Sequence, residues 1–294
     1  MTAPQPTFNV SRPDKVLYPG DGITKADIID YYRRVAEHML PLIGNRPLTM
    51  HRYPDGINGE HFFQKNVPDY FPKWIERISV GRNHDYTQLV ARRQQDLAYL
   101  ANQACLTIHM WLSRKDKPST PDRMILDIDP PGSDFRPVQL AARIILKHCR
   151  HHALPVYCML TGSRGAHLVI PIRRKPDFDT VRAAAARFAT RIADQSEDRL
   201  TTEQRKDDSR EGRVYLDVSR NAYGQTTVAP YSLRASPGAP VATPVDPDEL
   251  LRHNMHSQRY TIANLFRRLA RISDPWRDLQ RSAVSLATVQ KAVK

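Results

Sequence analysis

The segment Met124-Ile-Leu-Asp-Ile-Asp-Pro-Pro131 constrains this chain more than any other, because it reads as a strand ending in two carboxylates. Side chains alternate along a strand, so Met124, Leu126 and Ile128 point into a core while Ile125, Asp127 and Asp129 share the opposite face. Two anions this close repel and drive one pKa upward, and a hard, oxygen-preferring ion such as Mg²⁺ or Mn²⁺ relieves the conflict. Pro130 and Pro131 then stop the strand. Taken alone, an Asp-x-Asp pair reads equally well as two solvated residues opening a loop, so its company decides.

Length and composition narrow the setting. With 294 residues, 40% hydrophobic and 26% charged, the chain can bury a sizeable core and is not disordered. No apolar run approaches the roughly 18 residues that span a bilayer. Residues 1–282 are expected to form a single domain with two lobes sharing a cleft, and 283–294 a C-terminal tail. The start, Met1-Thr-Ala-Pro-Gln-Pro6, lacks the basic and apolar parts of a secretory signal, so a cytoplasmic location is expected. Cys105, Cys149 and Cys158 have no framework spacing, which fits buried thiols in a reducing compartment. A zinc site from Cys149, His151, His152 and Cys158 is the sharper alternative, though no Cys-x-x-Cys pair supports it. The net charge of +13 points to a polyanionic partner. Its basic residues are dispersed, with no polybasic run of the membrane-binding kind, which favours nucleic acid; a solubilising surface is the plainer account.

Along the chain, Thr24 and Asp27 form a capping box ahead of Ile28, Tyr31, Tyr32, Val35 and Met39 at helical spacing, so a helix starts near Lys25. Its N-terminus, with Lys25 in the first turn and Lys15 just before it, is a phosphate seat in outline. Thr49 to Gly56 reads as a strand entering a turn, and His61 to Lys65 as a short strand or loop. There, aromatics beside Arg52 and Lys65 suit base stacking next to phosphate contacts, with Phe63 exposed and Phe62 packed in the core. A helix over about Gln94 to Ala104 precedes the strand Leu106 to Leu112, which carries His109.

A helix capped by Ser133 or Asp134 runs to about His148. Val156 to Thr161 and His167 to Ile172 form two strands joined by the turn Gly162-Ser-Arg-Gly165, with His167 facing away from the core side of Leu168, Ile170 and Ile172. Asp179 starts an alanine-rich helix to about Gln195, and Ser196 to Arg213 is heavily charged. Val214 to Val218 alternates so that a third carboxylate, Asp217, sits on a strand face. Thr226 to Arg234 reads as one more strand, and two helical stretches follow near Asp248 to His253 and Thr261 to Ile272.

Three strand-borne aspartates, a glycine-hinged Ser-Arg turn, two strand-borne histidines and Arg234 together suit phosphoryl transfer. Carboxylates hold metals that activate a hydroxyl and steady leaving pyrophosphate, while arginine, histidine and turn amides neutralise a triphosphate.

Lys15-Val-Leu-Tyr-Pro19, Thr24-Lys-Ala-Asp27, Arg52-Tyr-Pro-Asp-Gly56, Asp127-Ile-Asp-Pro130, Thr161-Gly-Ser-Arg-Gly-Ala-His-Leu168, Arg213-Val-Tyr-Leu-Asp217 and Thr227-Val-Ala-Pro-Tyr-Ser-Leu-Arg234 together resemble the polymerase domain of bacterial ligase D. The likeness spans about residues 8 to 278. It implies the archaeo-eukaryotic primase-polymerase fold, an α/β (α+β) arrangement with a mixed, largely antiparallel sheet, flanking helices and an N-terminal lobe that grips DNA. It also implies a nucleotidyltransferase that extends or fills broken DNA ends in nonhomologous end joining, preferring ribonucleotides and often manganese.

Residue by residue, the resemblance implies that Asp127, Asp129 and Asp217 ligate two Mn²⁺ or Mg²⁺ ions, with Asp217 nearest the primer hydroxyl. Ser163, Arg164, His167 and Arg234 match positions that hold the sugar and phosphates of a nucleoside triphosphate, His109 one close to the nucleotide, and Arg220 and Gln225 less uniform ones. Lys15 and Lys25 match a pocket for the DNA 5′-phosphate across a gap, with Arg52 and Lys65 grouped beside them, and Phe63 matches an aromatic that stacks on template bases. No organic cofactor is implied. The implied partners are gapped or overhanging DNA ends, a Ku-type end-binding protein and a DNA ligase, in the cytoplasm at the nucleoid. Ile128 stands where many relatives have leucine, Thr161 where they often have serine and Arg164 where some have lysine, changes that keep volume, hydroxyl and charge. No nucleotidyl-lysine ligase motif or phosphoesterase segment accompanies these motifs, so a free-standing relative or an excised domain is expected. A de novo primase, a non-catalytic module bridging DNA ends, and a three-carboxylate nuclease are the rival readings.

Overall fold

The computed structural model describes residues 7–81, 86–204 and 212–293; the opening stretch Met1–Pro6 and part of the charged segment after Ser196 lie outside them. A short hairpin, β1 (Val16–Tyr18) and β2 (Ile23–Thr24), leads into α1 (Lys25–Ile43). Strands β3 (Leu48–Arg52), β4 (Phe62–Gln64), β5 (Glu76–Val80) and β6 (Tyr86–Val90) precede α2 (Gln94–Asn102) and β7 (Cys105–Trp111). After the hairpin β8 (Ser113–Arg114) and β9 (Lys117–Pro121) come β10 (Arg123–Asp129), α3 (Arg136–His151), β11 (Tyr157–Leu160), β12 (Ala166–Pro171) and α4 (Phe178–Asp194). The rest comprises β13 (Leu200–Thr201), β14 (Val214–Asp217), β15 (Thr226–Val228), β16 (Thr243–Val245), α5 (Pro247–Leu250), α6 (Leu265–Leu269) and α7 (Leu286–Lys291).

Among the described residues these strands build two large sheets. One runs β15-β7-β3-β6-β5 with β4 also on β3, the other β13-β14-β10-β12-β11-β16. The pairings are antiparallel except β13 with β14, so the expected mixed, largely antiparallel α/β arrangement with flanking helices is what the chain forms.

The pleat of β10 explains how two cores can meet at one strand. Met124, Leu126 and Ile128 are fully buried in a core shared with α3 and α4, through residues such as Val138, Ile145 and Phe188. Burial of this kind stabilises by about 1.5–3 kcal/mol per large aliphatic side chain. Ile125, with Met159 and Val169, lies instead in the core of the first sheet and α1. The second sheet is therefore covered by helices on one face and turned toward the first sheet on the other. Asp127 and Asp129 belong to that second face.

The capping box at α1 forms as expected. Asp27 N donates to Thr24 Oγ1 at 3.3 Å and Thr24 N donates to Asp27 Oδ2 at 2.8 Å, a device worth about 1 kcal/mol. Buried Tyr31 and Tyr32 anchor the helix by donating to the carbonyls of Tyr231 and Leu106, both at 2.7 Å.

Several expectations are corrected. The strand read over Thr226 to Arg234 ends at Val228, because the chain turns at Tyr231, which takes a positive φ of 65°. Phe62 is 45% exposed, since the short β4 adds to an edge of β3 and the ring is covered only in part, by the Arg52 guanidinium. Asp177, not Asp179, caps α4 by accepting from Thr180 N. The stretch read as a tail holds α7: Val284 pairs with Ile172, and Leu286, Val289 and Ala292 join the core against α4. Three apolar residues at helical spacing are too few to stand out as a pattern, yet enough to dock a short helix.

Candidate active site

Register brings the carboxylates together. Asp127 pairs across β10 with Asp217 of β14 on one side and with His167 of β12 on the other, while Asp129 lies two residues on along the same face. Carboxylate oxygens of Asp127, Asp129 and Asp217 all lie within 4.8 Å of one another, and no other such group of His, Cys, Asp or Glu occurs among the described residues. The zinc alternative therefore falls: Cys149 and Cys158 are separate buried thiols, the first pushed up to about 12 by burial.

The three acids are not equivalent. Burial raises the pKa of Asp127, but the His167 charge and hydrogen bond, then Arg220 and Arg234, outweigh it and hold the carboxyl below its ordinary value. His167 Nε2 lies 3.3 Å and Arg220 Nε 3.8 Å from Asp127 oxygens. Asp129 is pushed upward by burial and then by the negative charge of Asp127, against a pull from Arg164, with Asp217 adding a lesser push. Asp217 accepts Ser219 N at 2.6 Å. Hard carboxylate oxygens that repel one another in a partly buried site fit a divalent cation, and Asp127, Asp129 and Asp217 are the residues to hold it.

The turn between β11 and β12 is pinned beside them. Gly165 O accepts from Thr161 N at 3.1 Å, Thr161 Oγ1 at 3.0 Å and Ser257 Oγ at 2.7 Å. A Cβ at Gly165 would sit 2.0 Å from Ile128 O, so only glycine lets the turn press against β10 between its two aspartates. Gly162 takes a φ of +67°, and a Cβ there would meet Arg234 Cγ at 2.8 Å. Gly165→Ala is accordingly expected to lower stability by about 3 kcal/mol, the upper range for overpacking. It should also slow any chemistry at Asp127 and Asp129 by roughly a hundredfold, the scale of a misplaced reacting group. Thermal denaturation and primer extension check this, and an unchanged melting temperature would refute the close fit.

The resulting cavity, about 250 Å³, is lined by Asp127, Asp129, Ser163, Arg164, His167, Arg220, Arg234 and His109, together with Thr161, Gly165 and the β15 residues Thr226, Thr227 and Val228. Thr227 Oγ1 lies 3.3 Å from His167 Nδ1, so the two sheets touch at the site. His109 is held neutral, its pKa driven well down by burial and then by Arg234, His51, Arg220 and His167. It therefore offers a ring and a hydrogen bond where a counter-charge for phosphate was expected. Gln225 is exposed and stands outside the cavity lining.

The other expected residues lie outside this cavity. Lys15 Nζ donates to Asp55 at 2.6 Å. Lys25, only 5% exposed, donates to Ser11 O at 2.6 Å, and its pKa is lowered by burial and by the nearby charges of Arg12 and Lys15. Those three cations cluster at the N-terminus of α1. Arg52 is already engaged, donating to Gln103 O, Gln64 Oε1 and Tyr70 OH, so it braces the chain instead of offering a free fork. Lys65 sits over the Tyr86 ring. Phe63, 57% exposed, stacks on His51 with centroids 3.9 Å apart and meets His109 edge-on at 5.3 Å. His51 is kept neutral, its pKa pushed down to about 4 by burial, His61 and Arg234.

Sequence reasoning missed His51, Thr227, Asn221 and Ser257. Asn221 fixes the Arg220 turn through bonds to both Ile125 N and Ile125 O. Their partners are distant in the chain, so no local spacing marks them.

A carboxylate triad on a largely antiparallel sheet, beside a small arginine-lined cavity, is the equipment of metal-assisted enzymes that act on phosphates. The family model for the LigD primase-polymerase domain matches residues 24–276, and the chain belongs to that family. It is 34% identical over 253 residues to the multifunctional non-homologous end joining protein LigD of Mycolicibacterium smegmatis, covering 83% of this chain and 33% of that protein. It is 29% identical over 279 residues to the bifunctional LigD of Bacillus subtilis, covering 94% of this chain and 45% of that one. The chain thus spans between a third and a half of these relatives. The polymerase domain of Mycobacterium tuberculosis ligase D in complex with DNA superposes with a TM-score of 0.87 at 30% identity, covering 94% of this chain and 99% of that one. No helix among the described residues is long and apolar enough to cross a membrane.

Proposed function

We propose that this protein is a metal-dependent polymerase that extends primers and fills gaps at DNA breaks during nonhomologous end joining, with a preference for ribonucleotides. The observation that carries this is the register of β10, which sets Asp127 between Asp217 and His167 in the wall of an arginine-lined cavity. Family membership supports it, as does the likeness to a polymerase domain in complex with DNA.

Asp127, Asp129 and Asp217 would hold Mn²⁺ or Mg²⁺, and the reaction calls for no organic cofactor. When bound, the cations favour ionisation of the attacking hydroxyl and offset charge on the leaving group. Asp217 orients the primer 3′-hydroxyl toward the α-phosphate. Arg164, Arg220 and Arg234 neutralise the triphosphate, whose pyrophosphate leaves, and Ser163 and His167 add hydrogen bonds. His109 packs near the nucleotide as a neutral ring, and Gln225 acts from the rim. Phe63, stiffened from behind by His51, stacks on a template base. Lys15 and Lys25 receive the 5′-phosphate across a gap, with Lys65 nearby and Arg52 as a brace. The protein works with a Ku-type end-binding protein and a DNA ligase on chromosomal DNA in the cytoplasm.

Extension of a labelled primer on a gapped duplex with Mn²⁺ and ribo- or deoxynucleotides tests the activity. Lengthening that depends on added nucleotide supports polymerisation. Shortening indicates a nuclease, and tight binding without either indicates an end-bridging module. For the phosphate pocket, Lys15→Ala with Lys25→Ala is expected to cost about tenfold or more in preference for a gap bearing a 5′-phosphate, the scale of a lost charge-assisted contact, while sparing simple primer extension. Equal loss on both substrates would sink that assignment.

A further inference from the structure

A second basic concavity lies away from the catalytic cavity and shares none of its lining residues. This open groove of about 950 Å³ is flanked by α5 and α6 and includes Arg150, Arg252, Arg259, Arg267, Arg268 and Arg271. Arg268 is buried and committed: it donates to both oxygens of Glu249, at 2.8 and 2.5 Å, and to Pro244 O of the edge strand β16. Glu249 also accepts the Tyr260 hydroxyl, so its charge is absorbed within the wall. The other five arginines are exposed, and no ion pair engages them among the described residues. Asp246 and Asp248 line the same groove, which leaves it with a clear positive excess.

One segment separates the groove from the catalytic cavity. Ser257 donates to Gly165 O in the turn that lines the cavity, while Arg259 and Tyr260, two and three residues later, line the groove. Tyr260 O in turn accepts Val241 N, behind Gly162 of that turn. The cavity and the cationic groove thus share one stretch of chain as a common wall. Guanidinium forks suit phosphate oxygens, and several unpaired ones along an open groove suit a backbone of repeated phosphates better than one small anion.

We infer that this groove binds the phosphate backbone of the DNA beyond the reacting end, as a second nucleic-acid site that extends the footprint of the protein. This rests on the proposed action at DNA ends, but its test reads binding and not chemistry. The probes are a short fluorescent duplex just long enough to fill the catalytic cleft and a longer duplex with the same end. The variant is Arg252→Ala with Arg267→Ala and Arg271→Ala, which leaves buried Arg268 untouched.

For the long duplex, affinity is expected to fall on the order of tenfold or more, and the slope of log affinity against log salt to flatten by roughly three, about 0.9 per lost phosphate contact. Affinity for the short duplex, the melting temperature, and single-nucleotide addition at saturating DNA should be unchanged. Unaltered long-duplex affinity and slope would overturn the site and turn attention to an acidic protein partner. Equal weakening on both lengths would also overturn it, reducing these arginines to a contribution to overall charge. If the intact protein adds no nucleotide while the length-dependent loss persists, the proposed polymerase activity fails and the groove stands.

Discussion

Replacing Asp127 and Asp129 together with alanine is expected to lower nucleotide addition by more than about a thousandfold while the protein still folds and binds DNA. The magnitude follows from the ~3–4 kcal/mol that one well-placed electrostatic group contributes to a transition state, here with two groups removed. Folding is spared because the two acids pull in opposite directions. The depressed pKa of Asp127 means that it stabilises the fold above the unfolded carboxylate value, an effect lost as pH falls through its folded value. Asp129, with a raised pKa, opposes folding once ionised, so its removal offsets part of that loss at neutral pH. An independent readout is available in thermal denaturation: Mn²⁺ should raise the melting temperature of the intact protein and leave the double variant unmoved. If the variant extends primers at near the intact rate, or gains the same thermal protection from Mn²⁺, these residues are not the metal site.

The second large effect concerns stability. Asp122 joins three arginines, accepting from Arg46 Nη2 at 2.5 Å, Arg114 Nε at 2.9 Å and Arg123 Nε at 3.2 Å. Arg46 and Arg123 are each only 1% exposed, and Arg123 Nη1 already lacks an acceptor. Arg46 follows α1 and Arg123 opens β10, so the cluster ties the first helix to the strand that carries the catalytic candidates. Asp122→Ala leaves two buried guanidiniums uncompensated and should cost about 3–5 kcal/mol in denaturant unfolding, against a usual total of only about 5–15 kcal/mol.

The pH dependence has a definite sign. Burial raises the Asp122 pKa, but Arg46 and Arg123 override it and hold the carboxyl well below the ordinary range. Its contribution is therefore complete above the unfolded carboxylate value of about 3.9 and fades as pH drops below that. The gap between the intact protein and Asp122→Ala should narrow in acid, and Asp122→Asn, which keeps an acceptor, should lose less. A cost under about 1 kcal/mol at neutral pH would mean that the arginines find water or another partner.

Local periodicity made much of this legible beforehand. The alternation in Met124 to Asp129 and in Val214 to Asp217 placed all three acids on strand faces, and Thr24 with Asp27 announced α1. Register was not legible: only the pairing of β10 with β14 and β12 sets Asp217 and His167 opposite Asp127, and such pairing depends on contacts distant in sequence. Electrostatic state was equally hidden. The position of His109 follows from its strand, but its neutrality follows from burial and from Arg234, neither of which can be read from neighbouring letters. Arg52 looked like a free cation because its three acceptors come from separate segments, and α7 was missed because its apolar face is only a few residues long.

The placement of β10 between two cores also bears on how this chain can vary. Because successive side chains take opposite sides, the strand stores its chemistry as parity: Met124, Leu126 and Ile128 are hydrocarbon throughout, while the other set carries Ile125 followed by the two carboxylates. Point changes that respect parity, such as Ile for Leu at 128, cost little. Deleting one residue between Arg123 and Asp127 would exchange the two sets, turning carboxylates into the helix-covered core and Leu126 and Ile128 into the cleft. In this strand an insertion or deletion is thus a far graver lesion than almost any substitution, and length is the more tightly constrained variable.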